Sequence, residues 1–366
     1  MIRSRLLLSL TMVAVAGCTQ PSGPSGPHAA TKTDRPPFPA QPSTIVQPPI
    51  VLRVDLSERS ARWRRVLFVP FGSGRHQLGY KRFPEGLSSQ PDSFAVAPDG
   101  SFWIVDRWKR RTVHYSAGGA FLGALSISPD RGEDVVFAGS GMYILRSRLS
   151  GSIVAAHPDG TNTALTVNVN GRALYPLELY GSSIGLVARV YGWADLIRQH
   201  LFGGPQGFFL VDPVSGRSTP LAGLPLGSSW SIELQASESP SGDQDFDVQY
   251  RQGSTIRIQP VHVHLITGTG AGARSIPAEM TWVNLLPMEE DLAMYVMIAP
   301  SRAQDARRYG GRRWLLRLGP SALLWERLPD PGIPDEPQNR HLAVGSDRAL
   351  YLMVADREGV QIMRRP

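Results

Sequence analysis

Cysteine is almost absent from this chain of 366 residues, and lysine is scarce. The single cysteine, Cys18, has no partner for an internal disulfide, so disulfide crosslinks cannot hold the fold together. The only lysines are Lys32, Lys81 and Lys109, so the positive charge is nearly all arginine. An excess of arginine often reflects genome composition and is weak evidence for nucleic-acid binding. A net charge of +7 would nevertheless attract anionic lipid or polysaccharide.

Long apolar runs are missing too, since nothing reaches the ~18 apolar residues that a membrane-spanning helix requires. The N-terminus instead has the three zones of a secretory signal peptide. Arg3 and Arg5 form a positive region, residues 6–15 form a short apolar region, and the small residues Ala16 and Gly17 follow.

The four residues Val15-Ala16-Gly17-Cys18 resemble the lipobox of bacterial lipoproteins. This resemblance implies cleavage before Cys18, lipid on its sulfur and acylation of the new amino group. Several acyl chains anchor a protein firmly, whereas one alone binds marginally. Thr19 replaces the aspartate that usually marks inner-membrane retention, which implies an extracytoplasmic location, on the outer membrane in a Gram-negative cell. The alternative is an ordinary secretory signal with a chance cysteine.

Residues 18–49 are rich in proline, serine, glycine and threonine. Such a segment buries too little apolar surface to offset the entropy lost on ordering. The sequence therefore predicts a signal peptide over 1–17, a flexible tether over 18–49 that begins at the lipidated Cys18, and a folded domain over 50–366.

One stretch, 91–122, indicates the fold. Pro91 and the turn Asp99-Gly100 punctuate short strand patterns, because proline presets φ and Asp-Gly tolerates tight hairpins. The pattern Phe102-Trp103-Ile104-Val105-Asp106 and the later Arg111 resemble an NHL-type β-propeller repeat. The usual asparagine-histidine before that arginine is Lys109-Arg110 here, which departs from the repeat.

Weaker copies of this pattern follow it, so that the copies begin near positions 93, 134, 176, 230, 281 and 340. A spacing of ~40–50 residues is typical of four-stranded propeller blades. The sequence therefore predicts an all-β protein, a six-bladed β-propeller. Residues 65–70 form a spare strand that can complete the last blade and close the ring. Seven blades or a β-sandwich are the alternatives.

Two loops combine cationic and aromatic side chains. Trp108 is surrounded by Arg107, Lys109, Arg110 and Arg111. A second loop, 301–313, holds several arginines around two glycines, among them Arg307, Arg308, Arg312 and Arg313. Such loops suit contact with a protein or with an anionic polymer or glycan, although an ordinary solvated loop has the same composition. A helical pattern over 191–202 predicts a short amphipathic helix.

Several polar residues lead into the predicted innermost strands, where propellers usually place axial sites. They are Glu133, Asp134, Glu178, Glu233 and Asn284, with Asn339, Arg340 and His341 at the last blade. A ring of carboxylates with asparagine can hold Ca²⁺ or a sugar-like ligand, as in the calcium-dependent lactonase propellers that this arrangement would resemble. Carboxylates at strand starts also serve solubility alone.

Two further motifs give weaker evidence for a functional site. His262 and His264 alternate along a strand and point to one face, but a metal site would need a third ligand from elsewhere. The spacing Gly-x-Ser-x-Gly over 181–185 lies between apolar strand patterns, which favours a hairpin turn over a nucleophile elbow.

These observations favour a membrane-anchored extracytoplasmic propeller that serves as a binding or scaffold module for a protein or glycan partner. The alternative is a hydrolase or lyase that acts at the propeller axis, with Ca²⁺ as its possible cofactor. Nucleic acid is not an expected partner, because the chain is exported.

Overall fold

The fold consists of β-strands, as a computed structural model of the chain shows. It describes residues 43–55, 62–82, 88–126, 132–147, 152–156, 161–169, 172–173, 175–191, 207–238, 244–267, 274–276, 278–288, 291–300, 312–319, 323–329 and 340–365. All of the regular secondary structure in these ranges is β-strand. No helix long and apolar enough to cross a membrane is found in this part of the chain.

The strands are, in chain order, β1 Ser43–Val46, β2 Ile50–Asp55, β3 Arg64–Pro70, β4 Lys81–Arg82, β5 Ser88–Ser89, β6 Ser93–Val96, β7 Phe102–Asp106, β8 Arg111–Tyr115, β9 Phe121–Ser126, β10 Asp134–Ala138, β11 Gly141–Ser147, β12 Ser152–Ala156, β13 Asn162–Thr166, β14 Asn168–Val169, β15 Arg172–Ala173, β16 Tyr175–Ser182, β17 Gly185–Tyr191, β18 Gly207–Val211, β19 Ser218–Leu221, β20 Leu224–Leu226, β21 Trp230–Glu238, β22 Gln244–Gln252, β23 Thr255–Thr267, β24 Arg274–Ile276, β25 Ala278–Pro287, β26 Leu292–Pro300, β27 Arg312–Leu318, β28 Leu323–Arg327, β29 Leu342–Val344, β30 Leu350–Ala355 and β31 Gly359–Arg364.

Five antiparallel sheets of four strands form the blades of a β-propeller. Blade 1 is β6–β9, blade 2 is β10–β13, blade 3 is β16–β19 and blade 4 is β25–β28. Blade 5 combines β29, β30 and β31 with β3 from the N-terminal part of the chain. The pairing of β3 with β31 confirms the predicted closure of the last blade by the spare strand.

The first strands of the five blades form a closed ring. Strand β6 contacts β10, β10 contacts β16, β16 contacts β25, β25 contacts β29, and β29 returns to β6. The prediction of six blades is therefore wrong: the propeller has five. The segment near position 230, which resembles a blade locally, belongs to a sheet of seven strands that we call the large sheet. The segment near 230 alternates apolar and polar residues as a blade does. However, β16 of blade 3 contacts β25 of blade 4 directly, so this segment is not part of the ring, and a local sequence pattern cannot reveal that.

The large sheet contains β20–β24 together with β1 and β2. Both N-terminal strands run parallel to the long strand β23, with Ser43 opposite Thr255 and Ile50 opposite Val261. Strand β1 lies within the segment that composition assigns to the tether, so the folded part begins earlier than position 50. All four of its residues are exposed, which explains why its sequence resembles a linker.

Each gap between neighbouring blades is filled by an apolar core, because a two-faced sheet must bury both faces. The largest core joins blade 3, the large sheet and blade 4, and it includes Tyr180, Phe246 and Trp314. Strand β2 contributes Leu52 and Val54 to this core, and both are fully buried. Strand β2 is thus part of the core and not a surface addition.

Leu52→Ala tests whether β2 is a structural part of the domain. Deleting most of a fully buried leucine side chain is expected to lower the free energy of unfolding by about 2–5 kcal/mol, as a lower urea midpoint would show. The matched control is Val51→Ala on the same strand, where the side chain is 46% exposed, with an expected change within about 0.5 kcal/mol. Equal effects of the two substitutions would contradict the assignment.

Candidate functional site

Equivalent positions in the first strands carry polar side chains at one end of the axis. Three of these side chains accept a hydrogen bond from a backbone amide of the next blade: Ser93, Asp134 and Asn284. The Oγ of Ser93 accepts from the Val135 amide at 3.3 Å, and the Oδ1 of Asn284 accepts from the Leu342 amide at 3.3 Å. These side chains therefore join neighbouring blades around the ring.

A buried ion pair between Asp134 and Arg340 closes this end of the axis. Arg340 Nε donates to Asp134 Oδ1 at 2.9 Å and Nη2 donates to Oδ2 at 2.8 Å, a bidentate geometry. The two side chains are only 1% and 4% exposed. Arg340 precedes the first strand of blade 5 and Asp134 begins that of blade 2, so the pair reaches across the ring.

Further hydrogen bonds complete this ion pair. Asp134 also accepts from the Ser93 hydroxyl at 2.6 Å and from the Leu179 amide at 3.1 Å. Arg340 donates to the Leu179 carbonyl, and its guanidinium lies 5.8 Å from the centre of the Tyr180 ring. Burial raises the pKa of Tyr180 well above its usual value, so this phenol stays neutral. Four of the five blades therefore meet in one buried network.

Beyond the ion pair, the axis holds a cavity of about 110 Å³. Its lining side chains are mostly apolar, among them Phe94, Val136, Leu286 and Val344, and Arg340 is its charged group, but polar atoms of the backbone and of Arg340 form the larger part of its exposed surface. Asp134 is already bound to a guanidinium, so it is not free to coordinate a cation there. The described part of the axis thus offers a structural ion pair and not a free acid and base.

The other candidate metal ligands lie in separate environments. Glu178 accepts from Arg189 Nη1 at 2.9 Å and from the Tyr180 hydroxyl. Glu233 is on β21 of the large sheet, where it pairs with Arg251 at 3.2 Å. Glu133 is half-buried just before β10. Among the described residues no three His, Cys, Asp or Glu side chains come together as a ligand group.

His341 completes the polar end of the axis. Its ring stacks on Tyr295 at a centroid distance of 4.2 Å and an angle of 2°. Burial lowers the pKa of His341 to about 3, and the nearby charge of Arg313 acts in the same sense. The imidazole is therefore neutral at neutral pH and serves as a flat packing surface.

The turn between β7 and β8 contains the first set of predicted partner-binding residues. Buried Asp106 holds this turn: it accepts from the Lys109 amide at 3.2 Å, the Gly79 amide at 3.1 Å and Arg111 Nε at 3.1 Å. Lys109 Nζ donates to the carbonyls of Gly74 and Gln77, both at 2.9 Å. Lys109 thus holds the loop before β4 in place. The sequence around Lys109 predicted a partner contact and did not indicate this structural role.

Trp108 and Arg110 of the same turn remain exposed. Trp108 is 38% exposed and Lys81 Nζ lies 4.7 Å from its ring centre, a cation–π geometry. Arg110 has a φ of 54°, in the left-handed region. Arg82, which follows Lys81 in the sequence, is also exposed. We call Lys81, Arg82, Trp108 and Arg110 the basic turn surface; Lys81 was missed because the contact joins distant segments.

The second predicted basic loop is only partly visible. Arg312 and Arg313 begin β27 and are half-buried, whereas Arg307 and Arg308 lie outside the described residues, as do Cys18 and the segment 192–202 of the predicted helix. The Gly-x-Ser-x-Gly spacing forms the predicted hairpin turn between β16 and β17, with the Ser182 hydroxyl donating to the Gly185 carbonyl at 2.9 Å. His264, on β23, lies 3.2 Å from the Ser275 hydroxyl.

A family model matches residues 61–276, more than half of the chain. The chain belongs to the family described as Domain of unknown function (DUF7485). No curated protein matches the sequence. The match covers β3, blades 1 to 3 and strands β20–β24 of the large sheet, whereas β1 and β2 precede it.

Several solved structures share the propeller fold at low sequence identity. A member of the duf4221 family from Bacteroides vulgatus is 7% identical over 84% of this chain and 96% of its own, with a TM-score of 0.44. A putative gluconolactonase is 14% identical over 83% and 98%, with a TM-score of 0.40. A streptogramin B lyase is 9% identical over 79% and 85%, with a TM-score of 0.37.

Asp134→Asn tests the structural role of the axial ion pair. The substitution leaves the Arg340 charge buried without its counter-charge, which is expected to lower the free energy of unfolding by about 3–5 kcal/mol. Ser93→Ala is the control, since it removes the hydrogen bond to the same carboxylate and the one from the Val135 amide but leaves the ion pair in place, at an expected cost of about 1–2 kcal/mol. Chemical denaturation measures both. The role is refuted if Asp134→Asn is no more destabilising than Ser93→Ala.

Proposed function

We propose that this protein is a membrane-anchored extracytoplasmic propeller that binds an anionic partner, a glycan polymer or an acidic protein, through the basic turn surface. The observation that carries the proposal is Trp108, a large aromatic side chain that stays 38% exposed between cations on a rigidly held turn. Exposed aromatic and arginine side chains on a fixed scaffold are typical of recognition surfaces.

The rigidity of the turn supports this function. Asp106 is fully buried and ties the turn to the loop at Gly79, and Tyr115 donates to the His76 carbonyl at 2.8 Å from the neighbouring strand. A Cβ at Gly79 would lie 2.9 Å from the Trp108 Cβ, so only glycine allows this close packing. Trp108 is thus held in place before any partner arrives, which reduces the entropy lost on binding.

The charges of the turn favour an anionic partner. Asp106 is neutralised locally by Arg111, and Arg107 pairs with buried Asp92 at 3.3 Å. The exposed charges of the basic turn surface are therefore positive. They add to the excess of arginine along the chain and attract polyanions over several ångströms in low salt.

The axis argues against the alternative of a hydrolase or lyase that acts there. Such an enzyme requires a free acid, base or metal at the axis, whereas Asp134 is bound by Arg340, and Arg340 is the one ionisable side chain among the described residues that line the axial cavity. The membrane anchor rests on the lipobox resemblance at Cys18, and it places the propeller near anionic polymers outside the cytoplasm.

Replacing Trp108 or Arg110 tests the binding surface. The intact chain in mild detergent is expected to bind immobilised heparin and polyglutamate but not neutral dextran. Trp108→Ala and Arg110→Asn should each weaken binding by about three- to tenfold, a typical loss at a contact centre. Asn suits the left-handed φ of Arg110, so that change removes charge without straining the turn.

Arg53→Ala is the matched control for this experiment. Arg53 is an exposed cation on β2 of the large sheet, so the variant loses the same charge at a different place. Its affinity for heparin should stay within about twofold of the wild type, since a distant charge is screened by salt. Equal losses in Arg53→Ala and Arg110→Asn would mean that net charge, and not the basic turn surface, determines binding.

Cys18→Ser tests the anchor. The wild-type chain is expected to incorporate labelled palmitate and to fractionate with membranes, whereas the variant should do neither, because its hydroxyl cannot accept the thioether-linked lipid. Ser22→Ala, in the same segment, is the control and should behave as wild type. Salt-resistant membrane association of Cys18→Ser would overturn the lipid anchor while leaving the surface proposal intact.

A further inference from the structure

A separate cleft lies between blades 1 and 2, next to the β6–β7 and β10–β11 turns. It has a volume of about 460 Å³, within the usual size range of small-molecule pockets. One wall is apolar and contains Leu125, Phe137 and Met142. The other wall is polar and belongs to the first hairpins of blade 1. None of the described residues that line the cleft is lysine or arginine.

Three side chains of the polar wall form a hydrogen-bonded chain. The Ser101 hydroxyl donates to Asp99 Oδ1 at 2.6 Å, and His114 Nε2 lies 2.8 Å from the same hydroxyl oxygen. A serine hydroxyl has one hydrogen to donate, so its oxygen must accept the Nε2–H of the imidazole. In the neutral ring, Nδ1 is then left as an acceptor.

The protonation states of this chain follow from its surroundings. Burial lowers the pKa of His114, although the charge of Asp99 acts in the opposite direction. Hydrogen bonds from the side chain and backbone of Ser101 lower the pKa of Asp99, so it is a carboxylate at neutral pH. The Trp103 ring stacks on the imidazole at 4.1 Å and 12°, which fixes the plane of the histidine.

The cleft therefore pairs an apolar wall with acceptors and one negative charge. A ligand ring gains from burial against Phe137 and Trp103, and a donor or cation on the ligand gains from Asp99. An anionic ligand is repelled, because the described lining has no opposing cation.

We propose that this cleft is a binding site for a small ring-containing amine. The ring packs against the apolar wall, and the ammonium group lies against the Asp99 carboxylate. The site is on different residues from the basic turn surface and has the opposite charge preference, so the two proposals stand or fall separately.

Titration calorimetry of the intact chain with three related probes tests the site. Tyramine is a ring with an ammonium, p-cresol is the neutral ring, and 4-hydroxyphenylacetate is the matched anion. We expect saturable binding of tyramine, with at least about tenfold lower affinity for 4-hydroxyphenylacetate. Because Asp99 is exposed, Asp99→Asn should weaken tyramine binding about three- to fivefold and leave p-cresol binding within about twofold.

The control for Asp99→Asn is Asp212→Asn. Asp212 also binds a serine hydroxyl, that of Ser215 at 2.6 Å, in an exposed turn of blade 3, so the variant tests the same chemistry away from the cleft. It should bind tyramine as the wild type does. A second variant, Leu125→Arg, places a cation in the apolar wall and should abolish tyramine binding without touching the polar chain.

Thermal unfolding of each variant shows whether it is folded. Tyramine binding that is absent in the folded wild type, or unchanged in folded Asp99→Asn and Leu125→Arg, would overturn the proposal. Equal binding of tyramine and 4-hydroxyphenylacetate would also overturn it, because charge would then play no part.

Discussion

The ion pair between Asp134 and Arg340 is the interaction on which the ring depends. It joins blade 5 to blade 2 across the axis, and hydrogen bonds extend it to Ser93 in blade 1 and Leu179 in blade 3. Two charges that are buried this deeply cost free energy unless every remaining polar atom finds a partner. The ring satisfies that condition only when these blades are in place, so the pair selects one arrangement of the blades.

The ion pair also limits the space for a ligand at the propeller axis. Propellers with an accessible polar axis have room there for a ligand, but here the ion pair occupies the polar end and leaves a cavity of only about 110 Å³. The two proposed sites, the basic turn surface and the cleft between blades 1 and 2, lie away from the axis. They are built from different turns of blade 1 and are proposed with opposite charge preferences.

The large sheet explains how a five-bladed ring accommodates a chain with six blade-like segments. It fills the gap between blades 3 and 4 and shares one core with both of them. Its strands β1 and β2, which run parallel to β23, precede the first blade in the chain, so residues 43–55 are built into the fold. Leu52 and Val54 are buried in that core, and the adjacent Val51 is exposed.

Local sequence predicted most strands of the blades, their hairpin turns and the closure of the last blade by residues 65–70, but it assigned strand β1 to the tether. Alternating apolar residues and turn chemistry act over a few residues, and both are written in the order of the chain. Sequence also grouped Asp134 and Arg340 as residues that lead into first strands. It could not reveal that they pair, that Lys109 binds carbonyls of a distant loop, or that the segment near 230 stays out of the ring. Those facts depend on distances between residues far apart in the chain, which only the tertiary structure decides.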